Sequence, residues 1–313
     1  MDSLSHALVG VAVAGLSGHQ PALGDPLYIA AVLGAQAPDL DIVAQVRGNM
    51  AYLRQHRAFS HSLPGLAMWA AVIAGAVKLF LPQAAGGEIF LWALAGGLSH
   101  TVLDYFNSHG AAILWPFKRE RKSYPLLNVF DPILMVLMLT AYATPLPMRE
   151  VSLLSFATMA LYILARFFLR KRAVTWLTGR YAGELATRIW VMPCLNRLFY
   201  WDFVVETDRR LINGRLGALF PLLEIKADLP RQALSPLAAE ARKTSLGEFF
   251  TTFTPFVYFA EQADEKAGTV NIYDLRYHSG DAFVHSATIT FAADRTLREA
   301  YIHSLGRTVK VSE

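Results

Sequence analysis

Histidine and aspartate residues recur at the ends of apolar segments in this chain, and both residue types bind divalent metal ions. His100 and Asp104 are four positions apart within an apolar stretch, and Asp2 and His6 repeat that spacing. On a helix, side chains four positions apart share one face and lie about 6 Å from each other. Ionisable groups at membrane depth are costly and tend to mark functional sites. The spacing therefore predicts a metal site assembled from several helices.

Five segments contribute candidate ligands, and most of them also have a simpler explanation. The Pro-Asp-Leu-Asp element at 38–41 is also typical of a helix end, and His56 and His61 are also typical of a solvated loop. Asp2 is equally suited to cap a helix, and His109 lies in a turn-forming sequence, so both roles stay open. Taken together, the predicted metal ligands are His6, Asp39, Asp41, His56, His61, His100, Asp104 and Asp131.

The composition indicates a membrane protein with a second, soluble part. The chain has 313 residues, of which 54% are hydrophobic and only 17% are charged, against about 25% charged in a typical soluble domain. The depletion is confined to the first half, which predicts a membrane-embedded metal-site domain at 1–172 and a soluble accessory domain at 173–313. A lone cysteine, Cys194, excludes both an intramolecular disulfide and a cysteine-rich zinc site.

Apolar runs in the first half predict a multi-pass helical bundle. A helix of about 20 residues spans a bilayer, and the runs at 63–81 and 151–169 have that length, with 89–106 close to it and 131–147 shorter. Two N-terminal pieces, 4–16 and 27–37, are shorter and rich in alanine and glycine, which predicts a tightly packed helical hairpin. The predicted fold class is mainly α: a multi-pass membrane helical bundle with a smaller C-terminal α+β domain.

Basic residues orient this bundle. Lys118–Lys122 and Arg170–Arg172 follow apolar runs, whereas the opposite loops at 82–88 and 148–150 contain only Arg149 among the arginines and lysines. By the positive-inside rule, the site residues and the C-terminal domain face the cytoplasm. Topology explains the basic runs, so nucleic acid is not an expected partner.

The second half alternates turn signals with strand-like segments. Residues 199–206, 253–260, 269–277 and 286–291 are predicted as strands, 235–244 as a helix, and Asn213-Gly214 as a hairpin turn. These elements predict a mainly antiparallel sheet. The aromatic residues Trp190, Phe199, Tyr200 and Trp201 are candidates for the membrane interface. Without a phosphate loop or a nucleophile elbow, this half is interpreted as an accessory domain.

The motifs of the first half resemble a known family. They are Met-Asp-Ser-Leu-Ser-His at the N-terminus, Ala-Pro-Asp-Leu-Asp at 37–41, His-Arg-Ala-Phe-Ser-His at 56–61 and His-Thr-Val-Leu-Asp at 100–104. Together they resemble the YdjM-type inner-membrane metal-dependent hydrolase family over roughly residues 1–170. The resemblance implies that the eight residues named above form its metal site. A more distant similarity is to zinc-dependent phospholipases C and P1-type nucleases.

Mixed imidazole and carboxylate donors suit zinc or another borderline divalent ion, with manganese as an alternative. Because the candidates outnumber one tetrahedral shell, we expect one or two ions. Asp41 or Asp104 is the predicted general base, and Arg57 is predicted to stabilise a phosphate. The first hypothesis is a membrane-bound hydrolase of an amphiphilic phosphoester, with membrane lipids and that small molecule as its partners. The alternatives are a metal or proton transporter and an intramembrane metalloprotease, although no His-Glu-x-x-His motif occurs.

Overall fold

The computed structural model describes residues 1–41, 59–118, 120–231, 233–263, 267–279, 282–304 and 306–311. The chain divides into two compact units, Met1–Phe168 and Leu169–Glu313. The first unit is helical and the second is built mainly from antiparallel sheets. A mainly helical chain with a C-terminal antiparallel sheet region is therefore confirmed.

Local capping chemistry sets the starts of the helices in the first unit. Asp2, Asp25, Ser62 and Asp131 each accept a hydrogen bond from a backbone N–H of the first helical turn, and three of these helices carry proline in that turn, where the missing N–H is harmless. The helices are α1 (Ser3–Gly15), α2 (Pro26–Gln36), α3 (Leu63–Phe80), α4 (Gly86–Tyr105), α5 (Pro132–Tyr142) and α6 (Met148–Arg180).

Helices α2 and α4 approach each other through glycine. A Cβ added at Gly34 would lie 2.1 Å from the carbonyl oxygen of Ala93, and one added at Gly96 would lie 2.1 Å from that of Ala31. Small residues allow such close approach between helices in a membrane. The contact fixes the spacing between the end of α2, which precedes Asp39, and the C-terminal half of α4, which carries His100 and Asp104.

Two helices among the described residues, α3 and α6, are long and apolar enough to cross a membrane. The sequence predicted two more spans. Helix α5 has only 11 residues, which rise about 16 Å against a hydrocarbon core of about 30 Å. Helix α4 has 20 residues, but glycines, His100 and Asp104 lower its hydropathy. One side of α4 is nevertheless apolar and exposed, at Leu91, Leu98 and Val102.

The second unit contains a four-stranded sheet in the order β1-β2-β3-β4 and a five-stranded sheet in the order β11-β10-β9-β6-β5, with a two-stranded pair β7-β8. Two short helices, α7 (Pro236–Lys243) and α8 (Ser245–Phe253), lie between β4 and β5 in the chain. The strands are β1 (Arg188–Pro193), β2 (Tyr200–Glu206), β3 (Arg210–Gly217), β4 (Leu223–Pro230), β5 (Val257–Ala263), β6 (Ala267–Asp274), β7 (His278–Ser279), β8 (Ala282–Phe283), β9 (His285–Ala292), β10 (Leu297–Ser304) and β11 (Arg307–Lys310).

The predicted hairpin turn at Asn213-Gly214 is wrong, because both residues lie inside β3. The pairing of β3 with β4 shifts register between them, as at a β-bulge. The Asn213 side chain donates to the carbonyl oxygen of Leu275 at 2.8 Å. Glycine is needed beside it because a Cβ at Gly214 would lie 2.2 Å from the carbonyl oxygen of Glu224. The sequence signal for a turn thus marks a close backbone contact within a sheet.

The aromatic residues predicted at the membrane interface divide into two kinds. Trp201 is fully buried and packs in a core with Phe203 and Leu177, whereas Phe199 is 54% exposed. Both faces of β2 are covered, because Trp201, Phe203 and Val205 pack in one core and Val204 packs in another. Of these four aromatic residues, Phe199 in the turn before β2 is the one with a largely exposed side chain.

Candidate metal centre

Four side chains in the first unit converge on one point. Asp39, His61, His100 and Asp104 each offer one ligand atom, and these atoms all lie within 4.8 Å of one another. Asp39 belongs to a short 3₁₀ turn at 37–41 that follows α2, and His61 ends the 3₁₀ turn Phe59–His61. The other two residues lie one turn apart on α4. The close spacing of His100 and Asp104 is therefore complemented by two residues that are distant in sequence.

His100 is held by the packing of α4 on α2. Its Nδ1 atom lies 2.7 Å from the carbonyl oxygen of Ala35, so Nδ1 carries the proton and Nε2 offers its lone pair to the site. Nε2 is 3.2 Å from Nε2 of His61 and 3.6 Å from a carboxylate oxygen of both Asp39 and Asp104. A backbone acceptor behind a histidine ligand is the usual way to fix its tautomer and orientation.

His61 is oriented by Asp41 through a serine hydroxyl. Ser60 Oγ donates to Asp41 Oδ2 at 2.9 Å and lies 2.9 Å from Nδ1 of His61. The Asp41 carboxylate is itself 3.9 Å from that nitrogen, on the side of the ring away from the other ligands. Asp41 therefore lies on the far side of the His61 ring from the other ligands, where it orients this histidine. It is not part of the four-residue group that could bind the ion.

Asp104 uses its two carboxylate oxygens differently. Oδ1 accepts a 2.7 Å hydrogen bond from Asn107 Nδ2 and contacts the amino group of Met1. Oδ2 faces the imidazoles and lies 3.3 Å from Nε2 of His61. Because Oδ1 is engaged by the surrounding structure, Oδ2 is the oxygen positioned to bind an ion.

His6 extends the group on its inner side. Its ring is fully buried and stacks on His100, with ring centroids 3.6 Å apart and planes 13° apart. Within the described part of the chain, neither ring nitrogen has a hydrogen-bond partner, and Nε2 is 3.5 Å from Asp104 Oδ1. Burial and the neighbouring imidazole of His100 lower the pKa of His6 to about 3. A buried imidazole without hydrogen bonds is rare in proteins and calls for an explanation such as an ion.

Solvent reaches the group on the side of Asp39. The side chains of His61, His100 and Asp104 are 0% exposed, whereas that of Asp39 is 25% exposed. Burial opposes ionisation of Asp39, but the adjacent imidazoles of His100 and His61 outweigh it and lower the pKa of this carboxyl. Asp39 is thus the solvent-accessible carboxylate in a group whose other three ligands are buried.

The structure does not bring every predicted ligand to this group. Asp131 caps α5 and accepts hydrogen bonds from the Tyr162 hydroxyl at 3.0 Å, so its carboxylate serves the fold. Asp2 caps α1, and the backbone N–H of His109 donates to Asn107 in a turn after α4. His56 and Arg57 lie outside the described residues.

The separations within the group match one tetrahedral ion. Five of the six ligand-atom pairs are 3.2 to 3.6 Å apart. Zinc bonds of about 2.0 Å in tetrahedral geometry require ligand atoms about 3.3 Å apart. Two imidazoles and two carboxylates are also a donor set suited to a borderline divalent ion. The four residues therefore fit a single ion.

A helical unit with a buried His₂Asp₂ group and two candidate membrane spans defines a membrane protein with a potential metal site. The chain belongs to the YdjM inner membrane protein family, whose model matches residues 1–173. It is also similar to a protein of Bacillus subtilis (strain 168) named "Uncharacterized protein YfhP", with 28% identity over 96% of this chain and 94% of the relative. No solved structure matches. The more distant similarity to phospholipases C and P1-type nucleases gains no support from these comparisons.

Proposed function

We propose that this protein is a membrane-bound metal-dependent hydrolase that cleaves an amphiphilic phosphoester. The observation that carries the proposal is the convergence of Asp39, His61, His100 and Asp104 at tetrahedral separations. When bound there, a divalent ion such as zinc or manganese lowers the pKa of a water molecule and polarises a phosphoryl oxygen.

Differences in burial suggest a division of roles among the four ligands. His61, His100 and Asp104 are fully buried and held by the surrounding structure, and two histidines with one carboxylate are a common catalytic zinc set. Catalytic sites keep one coordination position for water. Asp39 is partly exposed and lies 3.6 Å from both histidines, so it is suited to leave that position and accept the proton of the water. This role replaces the base function that the sequence assigned to Asp41 or Asp104.

Apolar side chains beside the ligands support an amphiphilic substrate. Leu40, next to Asp39, is 49% exposed, and Phe59, two residues before His61, is 37% exposed. Exposed apolar groups flanking a polar site favour a substrate with a polar group and a hydrocarbon part. The assignment to a phosphoester rests on Arg57, which the sequence places beside His56 and whose guanidinium suits a phosphate.

For the membrane arrangement we propose a multi-pass protein with the site and the C-terminal unit on the cytoplasmic side. The spans α3 and α6, the exposed apolar side of α4 and the basic runs that follow apolar segments support this orientation. The transporter alternative requires ionisable groups distributed along a path. The described ligands instead collect in one group.

Metal analysis of the purified protein tests the site. His61→Ala, His100→Ala and Asp104→Asn are expected to lower the bound divalent metal strongly after metal-replete purification in detergent. His19→Ala is the matched control, because the His19 side chain is 54% exposed and lies outside the group. Wild-type stoichiometry near zero would remove the basis of the proposal.

Activity assays then test the reaction. We expect hydrolysis of an amphiphilic phosphoester that is lost in chelator, restored by zinc or manganese, and abolished in His100→Ala. Metal-dependent ion flux in liposomes, without hydrolysis of phosphoesters, amides or esters, would favour the transporter. Cleavage of a transmembrane peptide instead would favour the metalloprotease.

A further inference from the structure

Two turns of the second unit expose large apolar side chains. In the turn between β3 and β4, Leu219 is 50%, Phe220 72% and Leu222 59% exposed. In the turn between β1 and β2, Leu195 is 36% and Phe199 54% exposed. Single exposed apolar residues are ordinary on protein surfaces, but a contiguous set marks an interaction site.

These two turns lie at the same end of the four-stranded sheet. In an antiparallel meander, alternate turns share one end, and Tyr200 pairs with Gly217 in the register of β2 and β3. The backbone N–H of Ala218 donates to the carbonyl oxygen of Phe199 at 2.8 Å, which joins the turns directly. We call their five exposed residues the apolar turn patch: Leu195, Phe199, Leu219, Phe220 and Leu222.

The apolar turn patch adjoins the part of α6 that follows its apolar run. Arg172 and Trp176 of α6 line a small cavity together with Ala218 and Pro221 of the β3–β4 turn. The apolar run of α6 ends near Leu169, and the helical rise places Arg172 and Trp176 about 5 to 10 Å beyond it. The polar headgroup layer on each side of a bilayer is about 5 to 8 Å thick. The segment of α6 beside the patch is therefore the segment expected at the depth of that layer.

The charged residues described around the patch are either basic or held in an ion pair. Lys171 and Arg172 are exposed on α6. Arg197, in the β1–β2 turn, forms an ion pair with Glu224 at 2.8 Å. This surface carries exposed leucine and phenylalanine, a tryptophan and exposed basic residues. That combination matches the chemistry of an anionic membrane interface.

We propose that the apolar turn patch inserts into the headgroup layer of the membrane beside α6. Phe220 and Leu222 reach the boundary of the acyl chains, and Lys171 and Arg172 meet lipid phosphates. This interaction needs the membrane association of the family but not the proposed hydrolase activity. The second unit is then bound to the membrane by its own surface in addition to the chain connection through α6.

A fluorescent label at the patch tests this contact in the full chain. Phe220→Cys carries an environment-sensitive label in proteoliposomes of mixed zwitterionic and anionic lipids. Asp208→Cys is the matched control, since Asp208 is exposed in the turn between β2 and β3, at the opposite end of the same sheet. The native Cys194 is fully buried, and the unsubstituted protein measures its background labelling.

We expect the label at position 220 to show blue-shifted emission, several-fold stronger quenching by spin-labelled lipid and several-fold weaker quenching by aqueous iodide than the control label. The joint change Lys171→Gln and Arg172→Gln should weaken the lipid quenching in anionic vesicles. Equal iodide quenching at both positions would overturn the proposal. So would exclusion of iodide without lipid quenching, which would mean that protein, such as a second copy of the chain, covers the patch. Leu222→Cys provides the same comparison if Phe220→Cys does not fold.

Discussion

Replacing Gly96 with alanine tests whether the contact between α2 and α4 positions the metal ligands. The new Cβ would lie 2.1 Å from the carbonyl oxygen of Ala31 and 2.9 Å from the backbone nitrogen of Ala35. Both neighbours are backbone atoms, so relief requires the helices to separate by about 1 Å. Overpacking of this kind typically costs about 1–3 kcal/mol.

The separation would act on the site through His100. The Nδ1 atom of His100 is 2.7 Å from the carbonyl oxygen of Ala35, and a shift of about 1 Å breaks that hydrogen bond. It also moves Asp39, which follows α2, away from His100 and Asp104 on α4. Metal sites tolerate displacements of only about 0.2 Å in their bond lengths, and loss of an orienting partner typically lowers metal affinity about 10–100-fold. We expect a loss of at least that size although no ligand is removed.

Competition with a chelating indicator in detergent measures this affinity. The control is Gly87→Ala on the same helix, because a Cβ there meets nothing within 4 Å and alanine favours a helix by up to about 1 kcal/mol. Equal metal affinity in Gly96→Ala and Gly87→Ala would refute the reasoning, provided that both variants remain folded by circular dichroism.

Three further predictions concern other parts of the chain. Asp131→Asn should keep the wild-type metal stoichiometry, because asparagine also caps helices and Asp131 is outside the four-residue group; metal loss equal to that in Asp104→Asn would show that Asp131 is a ligand. Burial raises the pKa of Asp202 to about 6, so the folded chain holds this proton more tightly than the unfolded chain. Its contribution to stability should be complete below pH ~4 and lost as the pH rises through about 6, on the order of 3 kcal/mol. Thermal unfolding followed by tryptophan fluorescence should show this fall, and Asp202→Asn should flatten it. Reporter fusions after Arg172 and in the loop at 82–88 should report opposite sides of the membrane, and a periplasmic signal from the former would reverse the proposed orientation.

Features with local causes were predictable from the sequence. Helix α2 begins where Asp25 precedes Pro26, and α5 begins where Asp131 precedes Pro132, because cap and first turn are adjacent in the chain. The pair His100 and Asp104 was equally accessible, since a helix brings residues four apart to one face.

Features that depend on distant partners were not predictable. The role of Asp131 follows from Tyr162, 31 residues away, and no spacing rule connects them. Asp41 resembles Asp39 in sequence, yet the 3₁₀ turn directs only Asp39 to the ligands. In the second unit, the sequence did not predict β1, β3, β4, β10 and β11, because their formation depends on pairing with other strands and β-propensity is strongly dependent on such context.

The two sides of helix α4 place different constraints on which amino acids can be substituted there. Leu91, Leu98 and Val102 are exposed along one stripe, where the proposed membrane arrangement requires only that the side chains be apolar. Gly96 and His100 lie on the buried side, where a single added carbon meets backbone. Sequence drift among relatives should therefore be free along the first stripe and nearly absent along the second. For the same reason, we expect substitutions along the stripe to leave the ligands in their positions.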